Sequence, residues 1–381
     1  MKRILMPIVE AGAGHLATAS AIRDGIEACF PGKYTIEIVE LSQACGAMKE
    51  HEFIRRYWRF SLAHRWVADL SMTMMELFHP VSRFYLPLFM PDLLKKGIEY
   101  FASQKPDMIL STHFFATTIA SIAKKKKRIS CPVVGTITDP FSPFSWWCEP
   151  RADFLLAPSD EVETGLLKRG VKPSQIVRVP FPIERKFYNP LPAREELIQR
   201  YQLNPQYLTL LVVYGGEGIG KAYDFLPKII EKKLPFNWLV VCGRNVSLQE
   251  KLKALSETSP YPIRVFGFVD NMHELIHVSD VVIGKAGPSV LFESLLLGRP
   301  LLATDYSTYM TERKNLLFAL KHHVGWWAPD FVSFLSILET ILTTDTLVKY
   351  QKNIETIPLV QQLREGKDSI AFWVDDLLSR S

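Results

Sequence analysis

Residues 279–300 read Ser279-Asp280-Val281-Val282-Ile283-Gly284-Lys285-Ala286-Gly287-Pro288-Ser289-Val290-Leu291-Phe292-Glu293-Ser294-Leu295-Leu296-Leu297-Gly298-Arg299-Pro300. Residues 281–283 form a short apolar strand, and 284–289 a turn of small residues. Val290, Leu291, Ser294, Leu295 and Leu297 then give the one-sided apolar spacing of a buried helix, which Gly298 and Pro300 stop. A strand, a glycine turn and a helix start gather free backbone N–H groups at one point, a natural seat for a phosphate. Glu293 lies just over one turn into the helix, where a carboxylate can grip two neighbouring hydroxyls. The expectation is a seat for the diphosphate and ribose of a nucleotide. An ordinary strand–helix joint of an α/β sheet is the alternative.

The same pattern repeats on either side. Upstream, the buried strand at 208–213 runs into Tyr214-Gly215-Gly216-Glu217-Gly218-Ile219-Gly220 and a helix near 222–232. A strand at 238–242 ends in Gly243-Arg244-Asn245, and one at 263–266 ends in Gly267-Phe268-Val269-Asp270-Asn271-Met272. Downstream come a strand at 301–304 and a helix from about 311 to 322. Four prolines between 180 and 192 mark a linker. Before it, strands at 4–9, 34–41, 108–111, 133–137 and 154–157 alternate with helical stretches. Alternating strands and helices on both sides of a linker predict two doubly wound α/β domains facing each other across a cleft. The expected boundaries are 1–184, a linker at 185–200, 201–360, and a C-terminal helix at 361–381 that returns to the first domain.

Bulk properties fit that frame. The 381 residues are 48% hydrophobic and 22% charged, enough for sizeable cores. A net charge of +5 permits attraction to anionic lipid or an anionic substrate and is too mild to argue for nucleic acid. Five scattered cysteines without a CxxC pair read as reduced thiols rather than a disulfide framework or zinc cluster. No run of 18 apolar residues occurs, and the six-residue apolar stretch at 4–9 is short for a signal peptide. The expected location is cytoplasmic, with any membrane association peripheral.

In the first half, Glu10-Ala11-Gly12-Ala13-Gly14-His15 follows the first strand and opens a helix. The positive end of that helix disfavours an imidazolium, leaving His15 neutral and able to accept a proton; a capping or packing histidine is the alternative. Trp58, Leu62 and Trp66 fall at i, i+4 and i+8 among Arg55, Arg56, Arg59 and Arg65. Large apolar residues follow from Met72 to Met90, including Phe78 and Phe84. Basic residues interleaved with aromatic ones suit the surface of an anionic membrane. Helices packed on their own domain would read similarly, and the basic run at 124–128 is a weaker membrane candidate. Asp139, at the C-terminal end of a strand, stands where α/β sheets bind ligands.

No GxxxxGK[ST], complete GxGxxG, GxSxG or Asp-x-Asp occurs. What remains is glycine turns at strand ends, which hold a diphosphate through backbone N–H groups and a helix dipole without a divalent ion.

Taken in order, Gly12-Ala13-Gly14-His15, Gly215-Gly216-Glu217-Gly218-Ile219-Gly220, Val241-Cys242-Gly243-Arg244-Asn245, Gly267-Phe268-Val269-Asp270-Asn271-Met272 and Lys285-Ala286-Gly287-Pro288-Ser289 resemble a known group. It is the monogalactosyldiacylglycerol synthases and processive diacylglycerol glucosyltransferases, GT-B enzymes related to the peptidoglycan lipid-linked N-acetylglucosaminyltransferase. The resemblance runs from about residue 4 to 330 and is looser between 45 and 130. It implies an inverting transferase that moves a hexose from a UDP-sugar to diacylglycerol or a similar lipid, with no metal and no cofactor. The backbone at Phe268 and Val269 would read the uracil, with Arg244 and Asn245 beside it and Glu293 on the ribose. Gly216, Glu217 and Gly218 would face the diphosphate together with Lys285, Ala286, Gly287, Pro288 and Ser289. Thr311, Glu312 and Asn315 would meet the sugar. The first domain would take the acceptor and the membrane through Gly14, Arg55, Trp58, Arg59, Trp66 and His113.

An inverting displacement needs a base on the acceptor hydroxyl, and the resemblance implies His15, assisted by Asp139, with His113 a weaker substitute. Three departures are visible: Ala13 replaces a usual glycine, Pro143-Phe144-Ser145-Trp146 lacks the group's histidine, and Thr311 replaces a usual glutamine. Galactose, glucose and N-acetylglucosamine stay open as donors. Other readings are transfer to a polyprenyl-diphosphate intermediate, a catalytically silent nucleotide-sugar or membrane-binding protein, and, more remotely, a UDP-sugar epimerase of the same fold.

Overall fold

The computed structural model describes residues 1–9, 14–77, 85–142, 144–306 and 311–380. The chain divides into two units, one holding Met1–Arg185, Thr308–Thr311 and Glu365–Ser381, the other Lys186–Ser307 and Glu312–Arg364.

The first unit begins with β1 (Lys2–Ile8), α1 (Gly14–Cys29), β2 (Tyr34–Glu40) and α2 (Leu41–Ala44). A helical section follows: α3 (Met48–Ala63), α4 (Arg65–Leu77), α5 (Tyr85–Phe89) and α6 (Pro91–Gln104). Then come β3 (Met108–Ser111), α7 (Phe114–Lys125), β4 (Val133–Thr136), β5 (Phe154–Ala157), α8 (Asp160–Lys168) and β6 (Ile176–Arg178). Among the described residues these strands make one parallel sheet in the order β2-β1-β3-β4-β5-β6. Strands buried on both faces need apolar side chains on both, which is why β1 and β3 read as unbroken apolar runs.

The second unit opens with α9 (Arg194–Arg200), β7 (Leu208–Val213), α10 (Ala222–Glu231), β8 (Phe236–Val241), α11 (Val246–Thr258) and β9 (Ile263–Phe266). It continues through α12 (Met272–Val278), β10 (Val281–Lys285), α13 (Pro288–Leu296), β11 (Leu301–Asp305), α14 (Glu312–Lys321) and β12 (Gly325–Trp327). The helices α15 (Phe331–Thr343), α16 (Thr346–Thr356) and α17 (Pro358–Glu365) lead to α18 (Ser369–Ser379). Its parallel sheet runs β12-β11-β10-β7-β8-β9.

In each sheet the chain reverses its direction of growth once, between β1 and β3 and between β7 and β10. Open α/β sheets bind ligands beyond the carboxyl ends of the strands at such switch points. His15 follows β1 and His113 follows β3. The glycine turn at 215–220 follows β7, and Gly287 follows β10.

The last helix, α18, packs in the first unit. Ile370, Ala371, Val374 and Leu378 join Ile22 and Ile26 of α1 and the underside of the sheet in one apolar cluster. Polar ties hold its ends: Asp368 accepts from Arg185 at 2.5 Å, and Asp375 accepts from the Tyr34 hydroxyl at 2.5 Å.

Three expectations change. Residues 185–200, read as a linker, belong to the second unit from Lys186 onward and include α9, where Arg194 forms a forked ion pair with buried Asp280 at 2.7 Å. The region after 322 holds β12 and α15 to α17, which the apolar spacing did not separate. Trp58 and Trp66, placed on one helical stripe, lie on α3 and α4, because His64 leaves helical geometry at φ −130°, ψ 76°. Among the described residues no single helix is long and apolar enough to cross a membrane.

Candidate active site

In the first unit the site grows from the β1 and β3 ends. Gly14 starts α1, and its carbonyl accepts from Thr18 at 2.9 Å, so His15 is set in the first helical turn. Thr112 grips it twice. Its carbonyl lies 2.5 Å from His15 Nδ1, and its hydroxyl donates to the His15 carbonyl at 2.9 Å. A carbonyl only accepts, so Nδ1 carries the proton and Nε2 presents a lone pair. Desolvation holds the His15 pKa down to about 4 despite the opposing pull of the Thr112 carbonyl. The imidazole is therefore neutral at physiological pH, as the helix start alone suggested, with burial as the larger cause.

His113, expected on the acceptor side, packs against His15. It is 3% exposed and caps α7, its Nδ1 accepting from the Phe115 N–H at 3.1 Å. Burial, then the neighbouring His15, pushes its pKa well below the usual value. Its ring meets His15 edge-on, centroids 4.7 Å apart. A buried ring whose acceptor nitrogen is occupied is a poor base, which argues against His113 as the substitute for His15.

Asp139, just beyond β4, accepts from the Trp147 indole N–H at 2.7 Å, and the Trp147 ring lies 6.3 Å from His15 between centroids. The structure thus joins His15, His113, Trp147 and Asp139. Thr112 and Trp147 were missed in the sequence: a gripping carbonyl leaves no residue signature, and Trp147 stands in no motif. Residues 10–13, 78–84 and 143, which include the Ala13 and Pro143 departures and Phe78 and Phe84, lie outside the described residues.

A second group lies in the second unit. Gly215, Gly218 and Gly243 take positive φ of 72°, 60° and 59°. A Cβ on Gly218 would stand 1.9 Å from the Cys242 carbonyl oxygen, and one on Gly243 would stand 2.4 Å from that of Gly216. The Arg244 N–H donates to the Gly216 carbonyl at 2.8 Å, and Asn245 caps α11 through the Leu248 N–H at 3.1 Å. Two glycine turns are thereby interlocked. The Arg244 guanidinium rests 4.7 Å over the exposed Phe268 ring and 4.0 Å from Glu217. Val269, next to Phe268, is half-buried.

Beyond β10, Gly287 caps α13 and Pro288 occupies its first position, where a missing N–H costs nothing. The first hydrogen bond of the helix runs from Leu291 to Gly287, so the N–H groups of Ser289 and Val290 have no helical acceptor. Glu293 follows on the same helix, half-buried. Asn315, buried, donates to the Ala286 carbonyl at 2.9 Å, and Lys285 pairs with Glu312 at 3.0 Å. Glu312 and Asn315, expected on the sugar, thus brace the turn from 285 to 287. Thr311 is buried.

Tyr214 was overlooked. Its buried ring packs against Gly220, whose Cβ would fall 2.1 Å from it, and its hydroxyl meets Thr304 and accepts from the Ala222 N–H at 3.0 Å. The phenol closes the 215–220 turn from below. Tyr214→Phe is expected to raise the donor KM about tenfold with little change in kcat, the worth of one buried hydrogen bond, measured by initial rates over a donor series. An unchanged donor KM would contradict that assignment.

Among the described residues no three His, Cys, Asp or Glu side chains cluster as metal ligands would.

With this geometry in place, comparison with known proteins divides along the chain. Residues 15–183 match the family model of monogalactosyldiacylglycerol (MGDG) synthase, and residues 217–311 match the glycosyltransferase family 28 C-terminal domain. A relative from Nicotiana tabacum, named "Probable monogalactosyldiacylglycerol synthase, chloroplastic", is 28% identical over 335 residues. That match covers 85% of this chain and 61% of the tobacco protein, so the chain spans less than two thirds of that relative. Solved structures that match the full length of both chains include Acinetobacter baumannii MurG (TM-score 0.61, 14% identical) and a Neisseria meningitidis UDP-GlcNAc 2-epimerase bound to UDP-GlcNAc (0.62, 13%). At that identity they establish the fold, which is of the GT-B type.

Proposed function

We propose that this glycosyltransferase of the family 28 type is an inverting enzyme that moves a hexose from a UDP-sugar to diacylglycerol or a closely similar membrane lipid. The observation that carries the reading is the state of His15: a neutral imidazole, Nδ1–H tied to Thr112 and Nε2 open as a proton acceptor, beside exposed Leu16.

In the proposed step the acceptor hydroxyl gives its proton to His15 Nε2 while its oxygen bonds the anomeric carbon. The bond from that carbon to the diphosphate breaks, and UDP leaves with the electron pair. A base this weak takes the proton late, as the attacking hydroxyl acidifies. Asp139, held on the indole that lies against His15, stabilises the imidazolium as it forms. The departing charge meets the α13 N-terminus and the Ser289 and Val290 N–H groups. Glu293 takes the ribose hydroxyls, and the Phe268–Val269 backbone reads the base.

The acceptor side rests on surface chemistry. Trp66, Leu70, Met74 and Leu77 form an exposed stripe along α4, and Leu88 and Phe89 on α5 are exposed as well. On α3, exposed Phe53 and Phe60 stand among exposed Arg55, Arg56 and Arg59. An apolar face rimmed by cations suits the surface of an anionic bilayer, peripherally. Trp58 is half-buried and contributes less than expected. The basic run lies at the far end of α7, a helix length from His113.

The test is incubation with labelled UDP-galactose, UDP-glucose or UDP-N-acetylglucosamine and diacylglycerol vesicles. Lipid-soluble label from one donor is expected; none from any donor would sink the reading, and preference for a polyprenyl diphosphate would replace it. Reversing Arg55, Arg56 and Arg59 to glutamate is expected to lower affinity for anionic vesicles on the order of a hundredfold or more, at ~1 kcal/mol per basic residue near the surface. Unchanged cosedimentation would remove this face from the membrane.

A further inference from the structure

The α4 helix has two faces. The outer one carries the exposed stripe just described. The inner one packs Met72 and Met75 against the core of the first unit and ends at half-buried Glu76. The Glu76 carboxylate accepts from the Ser145 N–H at 2.9 Å, from the Ser145 hydroxyl at 2.5 Å and from Arg169 at 2.9 Å. One residue back, the Met75 carbonyl accepts from the Trp146 indole at 3.0 Å. These bonds clip the end of α4 onto the short turn at Ser145–Trp147, and the next residue of that turn, Trp147, holds Asp139. Burial opposes ionisation of Glu76, but hydrogen bonds from Ser145 and the Arg169 charge keep its pKa below the ordinary value. It therefore stays a carboxylate that accepts from Ser145 and Arg169.

The run from bilayer to chemistry is thus short and continuous: exposed stripe, α4, Glu76, Ser145, Trp147, Asp139. We propose that Glu76 is a positioning residue through which the seating of α4 on an anionic bilayer orders the Ser145–Trp147 turn and, with it, Asp139 beside His15. This rests on the membrane and base assignments of the proposed function and adds to them a coupling between surface contact and site order. Helix α4 is tied to α3 through Tyr57 and Ser71, so both helices of the basic, apolar face move as one on contact.

The test uses the full chain with vesicles of phosphatidylglycerol and phosphatidylcholine in equal parts and reads amide hydrogen exchange across residues 139–148. In the wild type, vesicles are expected to slow exchange of that segment about tenfold, roughly one hydrogen bond's worth of local opening. Glu76→Ala should still cosediment but lose the slowing, with kcat toward diacylglycerol reduced and the donor KM unchanged. Glu76→Gln, which keeps an acceptor for Ser145, should restore part of both. Equal slowing in wild type and Glu76→Ala, or no slowing in a wild type that cosediments, would overturn the coupling alone. Failure of the wild type to cosediment would overturn it through the membrane assignment itself.

Discussion

Replacing His15 by alanine is expected to lower kcat by roughly 10²–10⁴-fold, the usual worth of a positioned general base. UDP binding should be unchanged, because the groups proposed to hold the nucleotide lie in the other unit. Calorimetric titration with UDP beside a turnover assay separates the two effects; a variant that turns over like wild type would end the assignment. The pH dependence carries a sign. His15 acts as the free base and its pKa is about 4, so activity should hold from neutrality down to about pH 5 and fall as pH passes through about 4. Stability follows the same direction. Between the ordinary value of 6.5 and about 4 the unfolded chain binds the proton that the folded His15 refuses. The contribution is complete above the ordinary value and is lost progressively as pH falls through that window. His113, also lowered, adds in the same sense. A rate limb near neutrality would point to another base.

Gly218→Ala is the second large effect. The residue sits at φ +60°, where a Cβ costs about 1–2 kcal/mol, and the new atom would lie 1.9 Å from a backbone oxygen that cannot rotate away. Overpacking of that kind adds about 1–3 kcal/mol and shifts the two interlocked turns against each other. Displacing the proposed diphosphate seat by about 1 Å misplaces the donor and costs on the order of a hundredfold in turnover, with weaker donor binding beside it. Gly215→Ala is the matched comparison: φ is +72° but nothing lies within 4 Å of the added atom, so only the left-handed cost applies. Thermal unfolding and UDP titration of the two variants should rank them in that order. Equal behaviour would show that the interlock does not shape the donor seat.

The parts that were legible in the sequence share a cause. Glycine turns at strand ends are local: the positive φ at 215, 218 and 243 and the proline start of α13 are set by the residues that stand there. His15 was marked by the same kind of local signal, Gly12-Ala13-Gly14 standing ahead of it in the sequence. What escaped depends on neighbours brought in by topology. The Thr112 carbonyl on His15 comes from 97 positions away, and Glu76 reaches Ser145 across 69. Neither pairing has a spacing to find. The break at His64 escaped because no proline or glycine marks it. The helices after 330 escaped because Phe331–Thr343 is apolar on most of its sides, so its outer face gives little contrast.

The position of α18 has a consequence for how the polypeptide is made. The first unit draws its last apolar layer from residues 369–379, after the whole second unit has been translated. Until then the surface of α1 that will receive Ile370, Val374 and Leu378 is open to water and to other chains. The unit that starts first on the ribosome is therefore the one that finishes last, and the second unit completes its own core while its partner still waits. Quality control acting on a nascent or clipped chain would meet an exposed flank on the half that carries His15.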